Sequence, residues 1–226
     1  MAIDRLVASA VLLGATQHAR ALDVPAIGGG QFSVPVASMK SIKFQTTLRQ
    51  QYDFSCGSAA VATLLTHHYG EPVSERVVFE QMYARGDQRK IRKEGFSMLD
   101  IKRFLGERGY QADGFKLPLQ KLIDARLPAI VLVAEKGYHH FVVIKGAAHG
   151  RVLVGDPASG TRALTRGAFE KIWTSKLMFV IHGTAATPAF NRVADWRAAP
   201  MAPLNTGINR DGVSGVTMPK LGPGDY

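Results

Sequence analysis

One stretch concentrates the residues that could do chemistry: Gln50-Gln51-Tyr52-Asp53-Phe54-Ser55-Cys56-Gly57-Ser58-Ala59-Ala60. It carries the only cysteine in 226 residues. The run after it, Val61 to Tyr69, reads as a helix. Ala60 with Leu64, and Val61 with Leu65, recur at helical spacing and Gly70 follows as a stop. Ser55 is placed to cap that helix with its hydroxyl. Cys56 therefore falls at or beside the first helical position, where free N–H groups and the positive dipole end favour an anion. A thiol there is pushed toward thiolate, the nucleophilic form. The small residues Gly57 to Ala60 let backbone and substrate approach closely. A lone cysteine is otherwise most often a small buried hydrophobe, so the reading depends on what else the chain supplies.

A cysteine nucleophile needs a base that takes its proton and later protonates the leaving group. Gly137-Tyr138-His139-His140-Phe141-Val142-Val143 puts two histidines at the mouth of an apolar strand. Adjacent strand residues point to opposite faces, so only one of them can serve. Val154-Gly155-Asp156-Pro157 ends the next strand. An acid there can accept a bond from the second ring nitrogen of the histidine and fix its tautomer. Gln50 or Gln51 could donate a side-chain N–H to the oxyanion formed on attack. Surface histidines, an Asp-Pro turn and surface glutamines are the bland readings of the same residues.

Metal and phosphate chemistry find less support. His67 and His68 are adjacent on the helix, about 100° apart, and cannot easily share an ion. With no second cysteine and no acid at ligand spacing, a zinc site is not expected. No glycine-rich phosphate loop follows a strand, and no cofactor is implied. The formal net charge is +10, but the basic residues are scattered. The densest run, Arg85 to Lys93, lies beside Asp87 and Glu94 without a nucleic-acid motif. It reads as a solvated loop, with an acidic partner as the lesser reading.

The elements that must position these residues are helices first and strands later. The N-terminus reads as an export address: Arg5, an apolar stretch from Leu6 to Thr16, and Ala19-Arg20-Ala21 as a cleavage pattern. Residues 1–21 are thus expected to be a signal peptide, placing the mature chain in the periplasm or outside the cell. There an unpaired thiol is a liability unless it is kept for chemistry. Residues 22–45 read as a flexible lead-in around Gly28-Gly29-Gly30, with Ile42 to Leu48 alternating like a short edge strand. Further helices are expected over Ser74–Arg85 (Val77, Val78 and Met82 inward), from the capping box at Ser97–Asp100 to Gly109, and over Pro118–Arg126. Ala129–Val133, His140–Ile144 and Arg151–Val154 read as buried strands, Leu164–Trp173 as a helix and Lys176–His182 as a last strand. The order points to an α+β domain over residues 46–183. Residues 184–226, proline-rich and aperiodic, read as an irregular C-terminal extension with a helical turn or two at Phe190–Ala198.

Taken in order, Gln50, Cys56-Gly57, His140-Phe141-Val142-Val143, Asp156-Pro157 with Gly160, then Phe169 and Trp173, resemble the bacteriocin-processing peptidase family. The similarity runs from about Thr46 to about His182. The family's members are papain-like cysteine peptidases, often fused to ABC exporters, that cleave leader peptides after a double glycine. The resemblance implies a papain-like fold, a helical N-terminal half packed on a mainly antiparallel sheet. It implies Cys56 as nucleophile, His140 as base, Asp156 as its orienter and Gln50 as oxyanion donor, with His139 and Gln51 as alternatives. The chain looks more like stand-alone members attached to export systems, such as those for functional amyloids, than like the fused ones. The expected partner is an exported polypeptide. A non-catalytic module of the same fold that binds such a polypeptide is the second reading, and an amidase or acyl transferase a third.

Overall fold

In the computed structural model, which describes residues 21–25, 31–35, 37–135 and 137–200, the apolar runs form the middle of a six-stranded sheet. Its strands are β3 (Gln111–Lys116), β4 (Ala129–Glu135), β5 (Tyr138–Ala148), β6 (Arg151–Asp156), β7 (Gly160–Thr165) and β8 (Leu177–His182). The order is β3-β8-β4-β5-β6-β7, with every neighbour antiparallel. Strand residues alternate between faces, and here both faces are covered. Ile130, Phe141, Val143, Phe179 and Ile181 meet the helices α2 (Cys56–His68), α3 (Glu75–Arg85) and α5 (Met98–Glu107). Val131, Val133, Val142, Ile144, Met178 and Val180 meet Leu119 and Leu122 of α6 (Leu119–Ala125) and Phe169 of α7 (Arg166–Ile172). Burial on two sides explains why these strands are continuous apolar runs.

The expected helices over residues 74–85, 97–109 and 118–126 are present, and the capping box between Ser97 and Asp100 forms as expected. Val77 is the exception within α3: it is exposed, while Val78 and Met82 are buried. The loop expected over Arg85–Lys93 is instead a short helix, α4 (Gln88–Glu94). Asp87 caps it through the Arg89 and Lys90 amides, and Ile91 anchors it in the core while the basic residues stay in solvent.

The edge strand expected at Ile42–Leu48 does not form. A single turn, α1 (Met39–Lys43), takes the start of it, and its remaining polar residues bond side chains instead of a ladder. Lys145 Nζ donates to Thr46 Oγ1 at 2.6 Å, Thr47 and Thr161 hydroxyls meet at 2.7 Å, and Leu48 N–H donates to Thr63 Oγ1 at 2.9 Å. Strands β3 and β7 escape the sequence pattern, the first because Asp113 and Gly114 are poor strand residues. The helix expected from Leu164 starts at Arg166, since Thr165 spends its hydroxyl as the cap for Ala168 N–H.

A separate unit ends at Ile42. It contains a hairpin, β1 (Ala21–Pro25) with β2 (Gln31–Pro35), where a lead-in without regular structure was expected. Leu22 pairs with Val34 and Val24 with Phe32, an alternation masked by the glycines between them. Gly28-Gly29-Gly30, residues 1–20 of the expected signal peptide, and residues 201–226 lie outside the described residues. Among residues 184–200, the short α8 (Val193–Trp196) falls within the turn or two expected there. The segment is tied down: Ala189 N–H donates to His68 O, Asn191 N–H to Lys145 O, and Phe190 is buried in the second core.

Candidate active site

Cys56 is the first residue of α2, as its flanking residues predict. Ser55 holds the cap position but does not cap. Its hydroxyl donates to Tyr52 O at 3.0 Å and accepts from Tyr52 N–H at 3.1 Å, closing the turn that leads into Cys56. Gly57 is required by packing: a Cβ there would lie 2.9 Å from Phe96 Cβ. Cys56 is 6% exposed. Burial pushes the Cys56 thiol up, against the lowered value expected from its position. The N–H groups of Phe141, Gly57 and Cys56 itself pull it back in part, and the Asp156 charge adds to the rise. Phe141 N–H reaches Sγ at 3.5 Å, so the strand that carries His140 touches the thiol directly.

Register places His140. On β5, His140 continues the face of Val142 and Ile144, and on β6 Asp156 continues the face of Val152 and Val154. Their side chains meet with His140 Nε2 3.2 Å from Asp156 Oδ2. Both residues are buried, at 7% and 3% exposure. His140 Nδ1 has no hydrogen-bond partner. Burial pushes Asp156 up, but the bonds from His140, Ala158 N–H and Ser159 outweigh it and hold the carboxyl at about 2. It is a carboxylate at neutral pH. His139, on the opposite face of β5, is exposed.

Gln50 lies near the turn but faces it. Its Nε2 donates to Tyr52 O at 3.0 Å and to Asp53 O at 3.4 Å, while Gln51 is exposed. The structure thus joins His140 to Asp156, sets Cys56 against the Phe141 N–H next to His140, and turns the Gln50 amide onto its own loop. Three further residues escaped sequence reasoning. Arg162 of β7 lies 3.3 Å from Asp156 Oδ2 and also holds Glu135 of β4, with Nη1 3.0 Å from Oε1. Tyr138 stacks on His140 with ring centres 5.7 Å apart, and its hydroxyl donates to Asp53 O at 2.8 Å. Only the pairing of Val154 with Arg162, and of Val133 with His140, reveals these neighbours, and register is not written in one strand. Glu135, His140 and Asp156 offer ligand-type atoms within 4.8 Å of one another. Arg162 already bonds both carboxylates, so the positive charge among them is a guanidinium.

A buried thiol held against the N–H of the residue that follows an imidazole, with one ring nitrogen free and the other bound to a carboxylate, is an arrangement suited to acyl transfer through sulfur. Comparison with known proteins agrees. Residues 45–185 match the peptidase C39 family. A protein named probable functional amyloid protease FapD, from Pseudomonas aeruginosa, is 39% identical over 172 residues, 76% of each chain. The peptidase domain of Streptococcus ComA, a bi-functional ABC transporter involved in quorum sensing, has a similar fold. Its TM-score is 0.51 at 23% identity, covering 62% of this chain and 98% of that one. A double glycine motif protease from an AMS/PCAT transporter, solved with a leader peptide, gives a TM-score of 0.50 at 21% identity, covering 61% and 91%. The α+β, papain-like architecture is therefore shared, and the chain belongs to the peptidase C39 family of cysteine peptidases.

Proposed function

We propose that this peptidase hydrolyses a peptide bond in an exported polypeptide, with Cys56 as nucleophile, His140 as base and acid, Asp156 as orienter and Gln50 as oxyanion donor. The observation that carries the reading is the state of His140. Its Nε2 is bound to Asp156 and its Nδ1 is unpartnered, beside a cysteine that the next residue's N–H touches. The thiol proton passes to Nδ1 as sulfur attacks the carbonyl carbon, and Asp156 stabilises the imidazolium that results. The imidazolium returns the proton to the leaving amine. Water then attacks the thioester, and the carboxylic acid leaves. Gln50 must release the Tyr52 and Asp53 carbonyls to reach the oxyanion. The relative from Pseudomonas, a functional amyloid protease by name, makes a component of an amyloid export system the first substrate to try. Residues 1–21 act as the export signal on this reading, with the mature peptidase in the periplasm. No helix among the described residues is long and apolar enough to cross a membrane.

The test is co-expression with candidate exported polypeptides encoded beside it, followed by intact-mass analysis of both proteins. The expected result is a cleaved partner with the wild type, an intact one with Cys56→Ala and His140→Ala, and a peptidase chain that begins at Leu22. Cleavage that persists with Cys56→Ala would sink the assignment. A peptidase that retains residues 1–21 would sink the export reading alone.

A further inference from the structure

Asp156 Oδ1 is fully occupied by backbone, with Ala158 N–H at 2.8 Å and Ser159 N–H at 3.3 Å. Its Oδ2 is shared between His140 Nε2 at 3.2 Å and Arg162 Nη2 at 3.3 Å. The same Arg162 is gripped by both oxygens of Glu135. Two strands therefore meet one carboxylate oxygen, β5 through His140 and β7 through Arg162, and β4 braces Arg162 through Glu135, all on one face of the sheet.

We propose that Arg162, clamped by Glu135, is the positioning residue of the site: it fixes the Asp156 carboxylate and sets the net charge that the Cys56–His140 pair feels. The inference rests on the catalytic roles proposed above. The titratable and charged groups packed around the pair include Asp156, Glu135, Arg162 and Tyr138 on the sheet and Glu75 of α3, which accepts a bond from Ser58 Oγ in the first turn of α2. With all three charged side chains present, the cluster Glu135–Arg162–Asp156 carries one net negative charge. That charge stabilises the imidazolium and opposes the thiolate. Removing the Arg162 charge leaves two negative charges, one buried on Asp156 and one half-buried on Glu135. Removing the Glu135 charge leaves none.

The two substitutions therefore act in opposite directions, which a purely structural role would not produce. The readout is the rate of Cys56 alkylation by iodoacetamide, an uncharged reagent, measured against pH on the full chain. Proton loss from the Cys56–His140 pair appears as two coupled limbs. In Arg162→Gln both limbs move up, and in Glu135→Gln both move down, each by about half to one pH unit. Arg162→Lys keeps the charge and leaves the limbs within about 0.3 unit of the wild type. If Arg162→Gln does not fold, the downward shift in Glu135→Gln decides the matter. Limbs that move the same way in both variants, or a Glu135→Gln profile that coincides with the wild type, would overturn the proposal. Polypeptide cleavage is scored separately. Opposed shifts without any cleavage would leave the role of Arg162 standing and remove the peptidase roles, whereas cleavage with unshifted profiles would do the reverse. A thiol inert in every variant overturns both.

Discussion

Asp195→Asn should destabilise the protein by an amount that grows as pH falls. Lys145 and Asp195 are buried completely, at 0% and 1% exposure, with Nζ 2.8 Å from Oδ1. Burial lowers the Lys145 ammonium from 10.5 to about 8, even though Asp195 pulls it the other way. The folded protein thus binds fewer protons than the unfolded one between about 8 and 10.5, and stability rises with pH across that window. Below it the buried ammonium is held by its partner. Without the Asp195 charge, Lys145 has two options. It can stay charged at a cost of about 3–5 kcal/mol. Or it can give up its proton, at about 1.4 kcal/mol for each unit by which the pH lies below about 8. The cheaper route wins, so the deficit attributable to charge is about 1.4 kcal/mol at pH 7, about 3 kcal/mol at pH 6 and close to nothing at pH 9. The variant also avoids burying a carboxylate. That offset does not vary across this range, so the slope with pH is the measurement. His68, packed beside the pair, is pushed by burial down to about 4 and stays neutral throughout. Urea unfolding at pH 6, 7 and 9, analysed for midpoint and slope, reads the effect. A deficit that is flat with pH, or larger at pH 9 than at pH 6, would refute the reasoning.

Other outcomes follow from single contacts. Asp156→Asn keeps the shape of the side chain but can hold the wrong imidazole tautomer, so kcat should fall by at least about a hundredfold with the fold intact by circular dichroism. Gly57→Ala places a methyl 2.9 Å from Phe96 Cβ. It should cost about 1–3 kcal/mol in chemical unfolding and slow Cys56 alkylation, because the helix that carries the thiol must shift. Replacing the buried pair outright, as Lys145→Met with Asp195→Leu, should recover most of the stability that Asp195→Asn loses at pH 6.

Cys56, His140 and Asp156, the residues proposed as nucleophile, base and orienter, stand out in the sequence because each announces itself locally. Cys56 precedes a helical run, His140 opens an apolar strand, and Asp156 closes the next one before a proline. What could not be read is what comes from pairing. Arg162 sits in a strand whose sequence, Gly-Thr-Arg-Ala-Leu-Thr, carries little apolar alternation. Its neighbours Glu135 and Asp156 come from other strands brought together by register alone. The same holds for Lys145. A lysine inside an apolar strand reads as a conflict until Asp195, beyond the segment that matches the family, supplies the opposite charge. The rise in the Cys56 thiol has a similar cause. Helix position favours the thiolate, but the depth of burial depends on Phe96 and Phe141 packing around the first turn, which no local pattern gives.

Gln50 is the residue on which the mechanism is most exposed to test. Its amide already has two acceptors, Tyr52 O and Asp53 O, and the second of these also takes the Tyr138 hydroxyl. Two roles are open to such a side chain. As an oxyanion donor it binds charge that exists only in the transition state, so Gln50→Ala should lower kcat by about 10²–10³-fold and leave KM nearly unchanged. As a brace for the turn it holds Cys56 in place, so the same substitution should lower the melting temperature and slow alkylation as well as turnover. Gln50→Glu separates the two. It removes the N–H donors and sets a negative charge beside the forming oxyanion, so a donor role predicts a loss of kcat at least as large as in Gln50→Ala. Kinetics of peptide cleavage and iodoacetamide alkylation on the same preparations decide between them. Unchanged kcat in both variants would show that backbone N–H groups at the start of α2 carry the oxyanion without Gln50.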